Sequence, residues 1–308
     1  MNLKRVKLIF NPKAGLLRHT HLVLRIVDEC LRRAPFRYEV YNVEYKDHAV
    51  ELASAAEREG FDAVVAIGGD GTVNAAARGL LHSRLPLGIV PIGSGNGLAR
   101  GLGIPISIRR SCQLLLEGGT VRTIDAGRIR DRYFFVVAGL GFDAVVGKLF
   151  DDQSLRGPLP YFYLGVREFF SYEPETFILR FADRQITVPA LLVTVANTQQ
   201  WGNGAIIAPH AQPDDGLFDI CIIHKVNLGQ ALFHLPKLFT GKIDRVRHYE
   251  NYRSTEVEIV RERPGYFHVD GEPVEGGTHL RVSIDPKALR VIVPARGGDR
   301  LEVGSACE

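Results

Sequence analysis

The sequence predicts two domains, an N-terminal α/β domain and a C-terminal β-rich domain with the pattern of a sandwich or barrel. Strand-like apolar runs alternate with helical periods through the first third of the chain, as in a parallel sheet flanked by helices. From about residue 124, short β-rich runs separated by turn signals replace that alternation. We therefore place the domains at 1–125 and 126–295, followed by a glycine-rich, charged tail at 296–308 that we expect to be poorly ordered.

In the first domain, the apolar pattern predicts strands at 6–10, 38–43, 61–67 and 87–91, and helices at 21–32, 48–58 and 73–81. Three loops follow strands, at 11–15, 68–74 and 93–97. The carboxyl ends of parallel strands meet at one edge of a sheet, where α/β proteins bind their ligands. We therefore expect the three loops to form one site.

In the second domain, the β-rich runs predict strands at 133–138, 176–181, 186–196, 217–224, 255–260, 279–284 and 289–293. Helical stretches interrupt them at 160–171 and 228–240. The sequence shows no internal repeat and no low-complexity segment.

The composition of the 308 residues is that of a globular protein, with 45% hydrophobic and 24% charged residues. A net charge of +3 gives no indication of nucleic-acid binding. Four cysteines without CxxC spacing predict reduced thiols rather than disulfides or a zinc site. Because no signal core and no membrane-length apolar stretch is found, we expect a cytoplasmic protein with at most peripheral membrane contact.

The turn Gly68–Thr72 is the most informative feature, because it joins a predicted buried strand to a predicted helix. Glycines let backbone N–H groups approach an anion, and the helix N-terminus adds positive potential. Asp70 adds a carboxylate, which is compatible with a phosphate only if a cation such as Mg²⁺ lies between them. The turn therefore predicts metal-assisted handling of a nucleotide phosphate. A simple tight turn is the alternative for a lone glycine pair.

The loop 93–97 (GSGNG) offers small residues, a hydroxyl and an amide before a predicted helix, so it is also suited to an anion. The loop 11–15 (NPKAG) is a weaker signal by itself. A Walker A motif is absent, and no GxGxxG follows the first strand. The sequence therefore argues against a P-loop enzyme and a dinucleotide-dependent oxidoreductase.

Two acidic turns lie in the second domain. Asp270 and Glu272 are two residues apart, so in an extended chain they would share a face and could serve one site. Phosphoryl transfer to an alcohol needs such a carboxylate to accept or orient the hydroxyl proton. The turn at 214–219 (DDGLFD) suits a hard cation, although ordinary Asp-Gly turns look much the same.

Taken in order, these motifs resemble the diacylglycerol kinase catalytic family, which includes soluble bacterial lipid kinases and, more distantly, sphingosine and ceramide kinases. The resembling segments are NPKAG (11–15), GGDGTVNAAARGL (68–80), PIGSGNGLARGLGIP (91–105), AGLGFDA (138–144), APHAQPDDGLFDI (208–220) and DGE (270–272). The resemblance spans roughly residues 5–294.

The resemblance implies an α/β nucleotide-binding domain and an all-β sandwich domain, with the active site in the cleft between them. It also implies ATP as co-substrate and Mg²⁺ as cofactor. The nucleotide residues that it implies are Asn11, Pro12, Lys13, Ala14, Gly15, Gly68, Gly69, Asp70, Gly71, Thr72, Val73, Asn74 and Ser94. The implied catalytic residues are Asp70, Asp270 and Glu272, with Glu272 favoured over Asp270 as proton acceptor. The implied ligands of a structural Mg²⁺ are Gln212, Asp215 and Leu217, the first and last through backbone carbonyls.

Two positions depart from the family pattern. Val43 stands where bacterial members usually carry a nucleotide-contacting Thr, and the loop 93–97 reads GSGN where many have GTxND. The second departure resembles sphingosine kinases, so the lipid stays open. The apolar segment 155–170, with Arg156 and Arg167, is a candidate lining for an acyl chain, or equally a helix packed in the core.

The leading hypothesis is an ATP- and Mg²⁺-dependent lipid kinase, with diacylglycerol as the expected substrate and phosphatidic acid as the product. The alternatives are a sphingosine-type or other lipid kinase, an NAD kinase, and a nucleotide-binding regulator without turnover. The expected partner is a lipid at the inner face of a membrane, contacted transiently. A homodimer is kept open, because the sequence carries no signal for oligomeric state.

Overall fold

The computed structural model describes residues 3–14, 20–117, 119–151, 167–169 and 171–295. Helices α1 to α7 span Thr20–Leu31, His48–Ala55, Asp70–Gly79, Gly97–Gly101, Ile108–Leu116, Phe142–Asp151 and Leu228–Phe239. Strands β1 to β9 span Arg5–Phe10, Arg37–Asn42, Ala63–Gly68, Leu87–Pro91, Thr120–Ile129, Arg132–Phe134, Val137–Gly141, Glu175–Arg180 and Gln185–Ala190. Strands β10 to β18 span Leu192–Ala196, Gln200–Gly202, Ala205–Ile206, Phe218–Ile223, Tyr249–Ser254, Glu256–Arg261, Gly265–Val269, Glu272–Gly276 and His279–Val293.

The N-terminal part is a parallel sheet in the order β2-β1-β3-β4, covered by helices on both faces. Every residue of β3 is buried, which a strand covered on both faces requires. Alternate residues point to opposite faces, so Val64 packs with α2 and α3 while Val65 packs with Val23 and Val27 of α1. This three-layer arrangement confirms the predicted α/β class.

The C-terminal part is a sandwich of two antiparallel sheets. One contains β8, β9 and β15 with parts of β5 and β18, and the other has the order β14-β13-β10-β7-β16-β17. Apolar side chains from both sheets meet in one core, including Leu179 and Val257 from the first and Val193, Ile220 and Phe267 from the second. The predicted β-sandwich class is confirmed.

Strand β18 connects the two parts. Its first five residues pair with β15, and Val291 near its end pairs in parallel with Leu87 of β4, so the last strand returns to the N-terminal sheet. Strand β5 pairs with β18 along most of its length. The predicted boundary at residue 125 falls inside β5 and stays a prediction.

Several predicted elements differ from the structure. The predicted strands at 279–284 and 289–293 are one strand, β18, in which the pairing with β5 shifts between Asp285 and Leu289, around Lys287 with its positive φ of 53°. The predicted strand at 186–196 is two strands, β9 and β10, which lie in different sheets. An apolar run alone does not reveal such a crossing. Most of the predicted helix at 160–171, and the tail 296–308, lie outside the described residues.

Candidate active site

The three predicted loops lie side by side at the carboxyl edge of the parallel sheet. The N–H of Asn11 donates to Ile67 O at 3.1 Å, and the N–H of Ile92 donates to Gly68 O at 2.9 Å. These bonds continue the pairing of β1, β3 and β4 into the loops that follow. Asn11 Nδ2 also donates to Thr72 Oγ1 at 3.0 Å, which ties the first loop to the second.

Glycine is required where the second and third loops touch. A Cβ added to Gly93 would lie 2.7 Å from the Cα of Gly69. Within the second loop, a Cβ added to Gly68 would lie 2.4 Å from the Cβ of Thr72. Gly71 differs, because a Cβ added there meets no atom within 4 Å. Gly71 therefore faces open space in front of α3, where a ligand can approach the backbone closely.

The N-terminus of α3 is available to an anion. Gly69 is its N-cap residue, and no side chain caps the helix. Without a side-chain cap, the first N–H groups of a helix remain free to bind an anionic ligand, which the helix dipole also attracts. Lys13 is exposed in the neighbouring loop. Asn11 closes the turn of that loop: its side-chain Oδ1 accepts the N–H of Lys13 at 3.0 Å, and its carbonyl oxygen accepts the N–H of Ala14 at 3.1 Å. Pro12 lies in the first loop, whereas Val73 is a buried residue of α3 that packs in the core of the first domain. Gly15 lies outside the described residues.

Asp70 fixes the third loop. Its carboxylate accepts the N–H groups of Asn96 at 2.8 Å and Gly97 at 2.6 Å, so it caps the short helix α4. The Asn96 side chain in turn closes the loop, because its Oδ1 accepts the N–H of Gly93 and its Nδ2 donates to the Gly93 carbonyl. Asn96 is buried and has a φ of 51°, a conformation that Asn tolerates well. Ser94 lies exposed at the tip of this loop.

The acidic turn in the second domain is a two-residue hairpin turn, not an extended segment. Asp270 and Gly271 have φ values of 47° and 86°, and Val269 pairs with Glu272 across the β16–β17 hairpin. Positive φ at both central residues is the requirement of a type I′ turn. The expectation that Asp270 and Glu272 project from one face of an extended chain is therefore wrong, because the Asp-Gly pair reverses the chain between them.

The Asp270 carboxylate accepts four hydrogen bonds. Its oxygens accept the N–H groups of Phe135 at 2.9 Å, Val136 at 2.9 Å and Val137 at 3.0 Å, and the amide of Asn74 at 2.8 Å. A carboxylate has about four lone-pair positions, so these donors occupy all of them. Burial raises the pKa of Asp270, while the four donors work in the opposite direction. The bond from Asn74 joins α3 to the acidic turn.

The Glu272 carboxylate has a different environment. Its side chain is 55% exposed, and Oε1 lies 3.9 Å from Lys46 Nζ and 3.5 Å from Arg132 NH1. Lys46 belongs to the loop after β2, so Glu272 faces the N-terminal domain. Both neighbours are cations.

Sequence reasoning did not identify a buried pair beneath this turn. His268 Nε2 lies 3.0 Å from Asp143 Oδ2, and both side chains are buried. His268 Nδ1 accepts the N–H of Gly271 at 3.4 Å, and the other ring nitrogen, Nε2, faces Asp143. The pair supports the Asp270–Gly271 turn from below. Asp143 lies in the quoted segment AGLGFDA and His268 stands two residues before the quoted DGE, but only the fold shows that they meet.

The predicted metal ligands do not form an open cation site. The Asp215 carboxylate contacts the guanidinium of Arg253 and accepts the N–H of Leu217 at 3.1 Å. Gln212 borders a cavity of about 560 Å³ that is also lined by Arg122, His210 and Arg253. Both arginines are paired, Arg122 with Asp214 and Arg253 with Asp215. Among the described residues, no group of three or more His, Cys, Asp and Glu side chains is arranged to hold a metal.

The remaining predictions concern the lipid side. Most of the segment 155–170, with Arg156, lies outside the described residues; Arg167 is described and pairs with its neighbour Glu168 at 2.7 Å. Val43 packs against the core of the first domain and donates its N–H to Phe10 O at 2.8 Å. In the described part of the chain, no helix is both long and apolar enough to cross a bilayer.

Comparison with known proteins matches two family models. Residues 5–129 match the diacylglycerol kinase catalytic domain, and residues 136–293 match the YegS C-terminal NAD kinase beta sandwich-like domain. A diacylglycerol kinase of Mycobacterium tuberculosis is 32% identical over 266 residues, covering 81% of this chain and 82% of the relative. One of Bacillus subtilis is 28% identical over 286 residues, covering 88% and 90%.

A crystal structure of a diacylglycerol kinase from Bacillus anthracis superposes with a TM-score of 0.71 at 20% identity, covering 95% of this chain and 98% of that one. At this identity, the likeness supports the fold. Together the comparisons confirm the family resemblance, the two-domain class and the prediction of an enzyme of the lipid kinase class.

Proposed function

The chain belongs to the diacylglycerol kinase family, and on that premise we propose that this lipid kinase transfers the γ-phosphoryl group of ATP to the free hydroxyl of diacylglycerol, giving phosphatidic acid. The observation that carries the proposal is the link between two features. An uncapped helix N-terminus beside open space at Gly71 suits a phosphate, and Asn74 of that same helix is bonded to the turn that bears Glu272.

The nucleotide phosphates would lie against the N-terminus of α3. The N–H groups at the start of that helix, the open space in front of Gly71 and the exposed Lys13 all favour a polyanion there. Asn11 and Thr72 are bonded to each other, so the first two loops keep their relative position. Ser94 offers a hydroxyl from the third loop.

Glu272 is our candidate for the residue that accepts the proton. Its carboxylate is exposed, whereas the Asp270 oxygens are already occupied by four donors. In the proposed step, the lipid hydroxyl oxygen forms a bond to the γ-phosphorus as the bond between that phosphorus and the β–γ bridging oxygen breaks. The hydroxyl proton passes to Glu272, and ADP leaves. Asp270 is a positioning residue in this scheme.

Asp70 is the residue that fits a Mg²⁺ accompanying ATP. Its two hydrogen bonds to α4 leave lone pairs free on the carboxylate, next to the proposed phosphate site. A bound Mg²⁺ would neutralise charge on the phosphates. Gln212, Asp215 and Leu217 fit less well as ligands of a structural Mg²⁺, since Arg253 already pairs with Asp215, and we derive no step through such an ion.

Phosphate transfer from labelled ATP to a panel of acceptors tests the proposal. The panel holds diacylglycerol, monoacylglycerol, phosphatidylglycerol, sphingosine and ceramide in mixed micelles, with NAD as a soluble control. We expect Mg²⁺-dependent label in phosphatidic acid. Label in sphingosine or ceramide only would replace the substrate, label in NAD only would contradict a lipid kinase, and ATP binding without transfer to any acceptor would favour the regulator.

A further inference from the structure

Helix α7 is apolar around most of its circumference, yet it lies on the surface. Inner residues such as Leu238 pack against the core that α2, α3 and the sheet share. The outer face carries Gly229, Leu232, Phe233, Pro236 and Phe239, all exposed, at the spacing of one face of a helix. We call these five residues the α7 stripe. A helix that is apolar on both faces normally has a partner on both faces.

The stripe is the main exposed apolar feature among the described residues. Six large hydrophobic side chains are exposed among the described residues, and three of these six lie in α7 between positions 232 and 239. Phe233 is the most exposed of the six, at 74%, and Phe239 and Leu232 are exposed by 55% and 47%. Single exposed apolar side chains are ordinary, but a contiguous patch of this kind indicates an interaction surface.

The charge around α7 identifies the class of partner. From Lys225 to His248 there are five Lys or Arg residues and one acidic residue, a net charge of +4, although the whole chain has only +3. Four of the five cations, Lys225, Lys242, Arg245 and Arg247, are exposed. An apolar helix face with cations in the flanking sequence is the pattern of a helix that lies in the interface of an anionic bilayer.

We propose that the α7 stripe docks this kinase on an anionic phospholipid bilayer, with Phe233 and its neighbours inserted at the headgroup boundary and the flanking cations on the headgroups. A second copy of the chain is a poorer occupant, because two such faces would bring like charges together. The inference rests on the proposed function in one respect: a lipid kinase must reach a substrate that stays in the membrane.

The position of α7 agrees with this role. The helix contacts β12, and the β11–β12 hairpin also contacts α4, the helix that begins at the loop 93–97. The β11–β12 hairpin therefore lies between α7, which carries the α7 stripe, and the helix that follows the loop 93–97.

Vesicle co-sedimentation without ATP tests the inference. Wild-type protein should bind vesicles of phosphatidylcholine with phosphatidylglycerol more tightly than vesicles of phosphatidylcholine alone, and salt should weaken the binding. Phe233→Ser should weaken it by roughly tenfold or more, the effect of removing one large apolar side chain from an interface. Lys242→Gln with Arg245→Gln should weaken it by about 30-fold on the anionic vesicles only.

Leu232→Ser and Leu22→Ser form a matched pair, because both side chains are 47% exposed and only Leu232 belongs to the stripe. We expect Leu232→Ser to reduce vesicle binding and Leu22→Ser to leave it unchanged. Equal binding by wild type, Phe233→Ser and Leu232→Ser would overturn the inference. Loss of a wild-type dimer in Phe233→Ser, by sedimentation velocity without lipid, would also overturn it by assigning the stripe to a second copy.

Two further readouts keep the result interpretable. If Phe233→Ser does not fold, Phe233→Trp provides an insertion probe, whose emission should shift to the blue with anionic vesicles; an unchanged spectrum contradicts docking. With a short-chain, water-soluble diacylglycerol, Phe233→Ser should keep wild-type turnover and lose it only on vesicles. Vesicle binding through the stripe by a wild-type protein that phosphorylates no lipid would refute the proposed function and leave the docking inference standing.

Discussion

Asp270 and Glu272 are two residues apart on one hairpin, and the structure gives them opposite environments. Asp270 is enclosed by three backbone N–H groups and the Asn74 amide, whereas Glu272 is 55% exposed between Lys46 and Arg132. The type I′ turn creates the difference, because it turns the chain back after Asp270. The comparison teaches that the two carboxylates of a short acidic motif can have different roles. Asp270 joins the hairpin turn to α3 and to the backbone at 135–137, and Glu272 remains available for chemistry.

Asp270→Asn should give the largest loss of stability. The new side-chain NH₂ group would face N–H groups that now donate to the carboxylate, so at least one hydrogen bond would be replaced by a repulsive contact between two donors. We expect the free energy of unfolding to fall by about 3–5 kcal/mol, as when one partner of a buried charged network is removed. Urea denaturation measures this loss. A variant as stable as wild type would show that the four hydrogen bonds contribute nothing to the free energy of unfolding.

Asn74→Ala should have a smaller effect, because it removes one of the four donors. We expect a loss of about 1–2 kcal/mol in the free energy of unfolding together with reduced phosphoryl transfer, since the bond joins α3 to the acidic turn. Asn251→Ala is the matched control, because it removes a comparable amide bond of 2.6 Å to Asp219. Equal losses of activity in the two variants would argue against a role for the Asn74 link in joining nucleotide and acceptor.

Gly71→Ala should change stability least and still weaken nucleotide binding. The added Cβ meets no protein atom within 4 Å, and Ala is the better helix former, so the fold is unaffected or slightly stabilised. If phosphates approach that backbone, we expect a Kd for ATP about tenfold higher, which isothermal titration calorimetry would detect. Gly277→Ala, where a Cβ also meets nothing, is the control. Unchanged affinity in Gly71→Ala would place the nucleotide elsewhere.

The sequence predicts much of this site because the relevant signals are local. Gly68–Thr72 and the loop 93–97 follow buried strands, and parallel strands bring their ends to one edge without further information. The alternation of strands and helices similarly predicts the first domain, and the turn signals predict a β-rich second domain. The motifs then predict the family.

Pairings between distant residues could not be predicted in this way. Asp70 caps α4, and Arg253 pairs with Asp215; each contact joins residues more than 25 positions apart. The return of β18 to the N-terminal sheet depends on the same kind of long-range pairing. The Asp-Gly pair at 270–271 is a recognisable type I′ turn signal, and an extended chain was the wrong geometry to assume there.

The most direct test of the division between the two carboxylates is the single-turnover rate of Glu272→Gln with bound ATP and diacylglycerol, measured beside Glu275→Gln. Both glutamates are exposed on β17, so neither change should lower the free energy of unfolding by more than about 0.5 kcal/mol. We predict that Glu272→Gln slows phosphoryl transfer by about 10²–10⁴-fold with ATP affinity unchanged, and that Glu275→Gln transfers at the wild-type rate. A Glu272→Gln rate equal to that of wild type would contradict its role as proton acceptor.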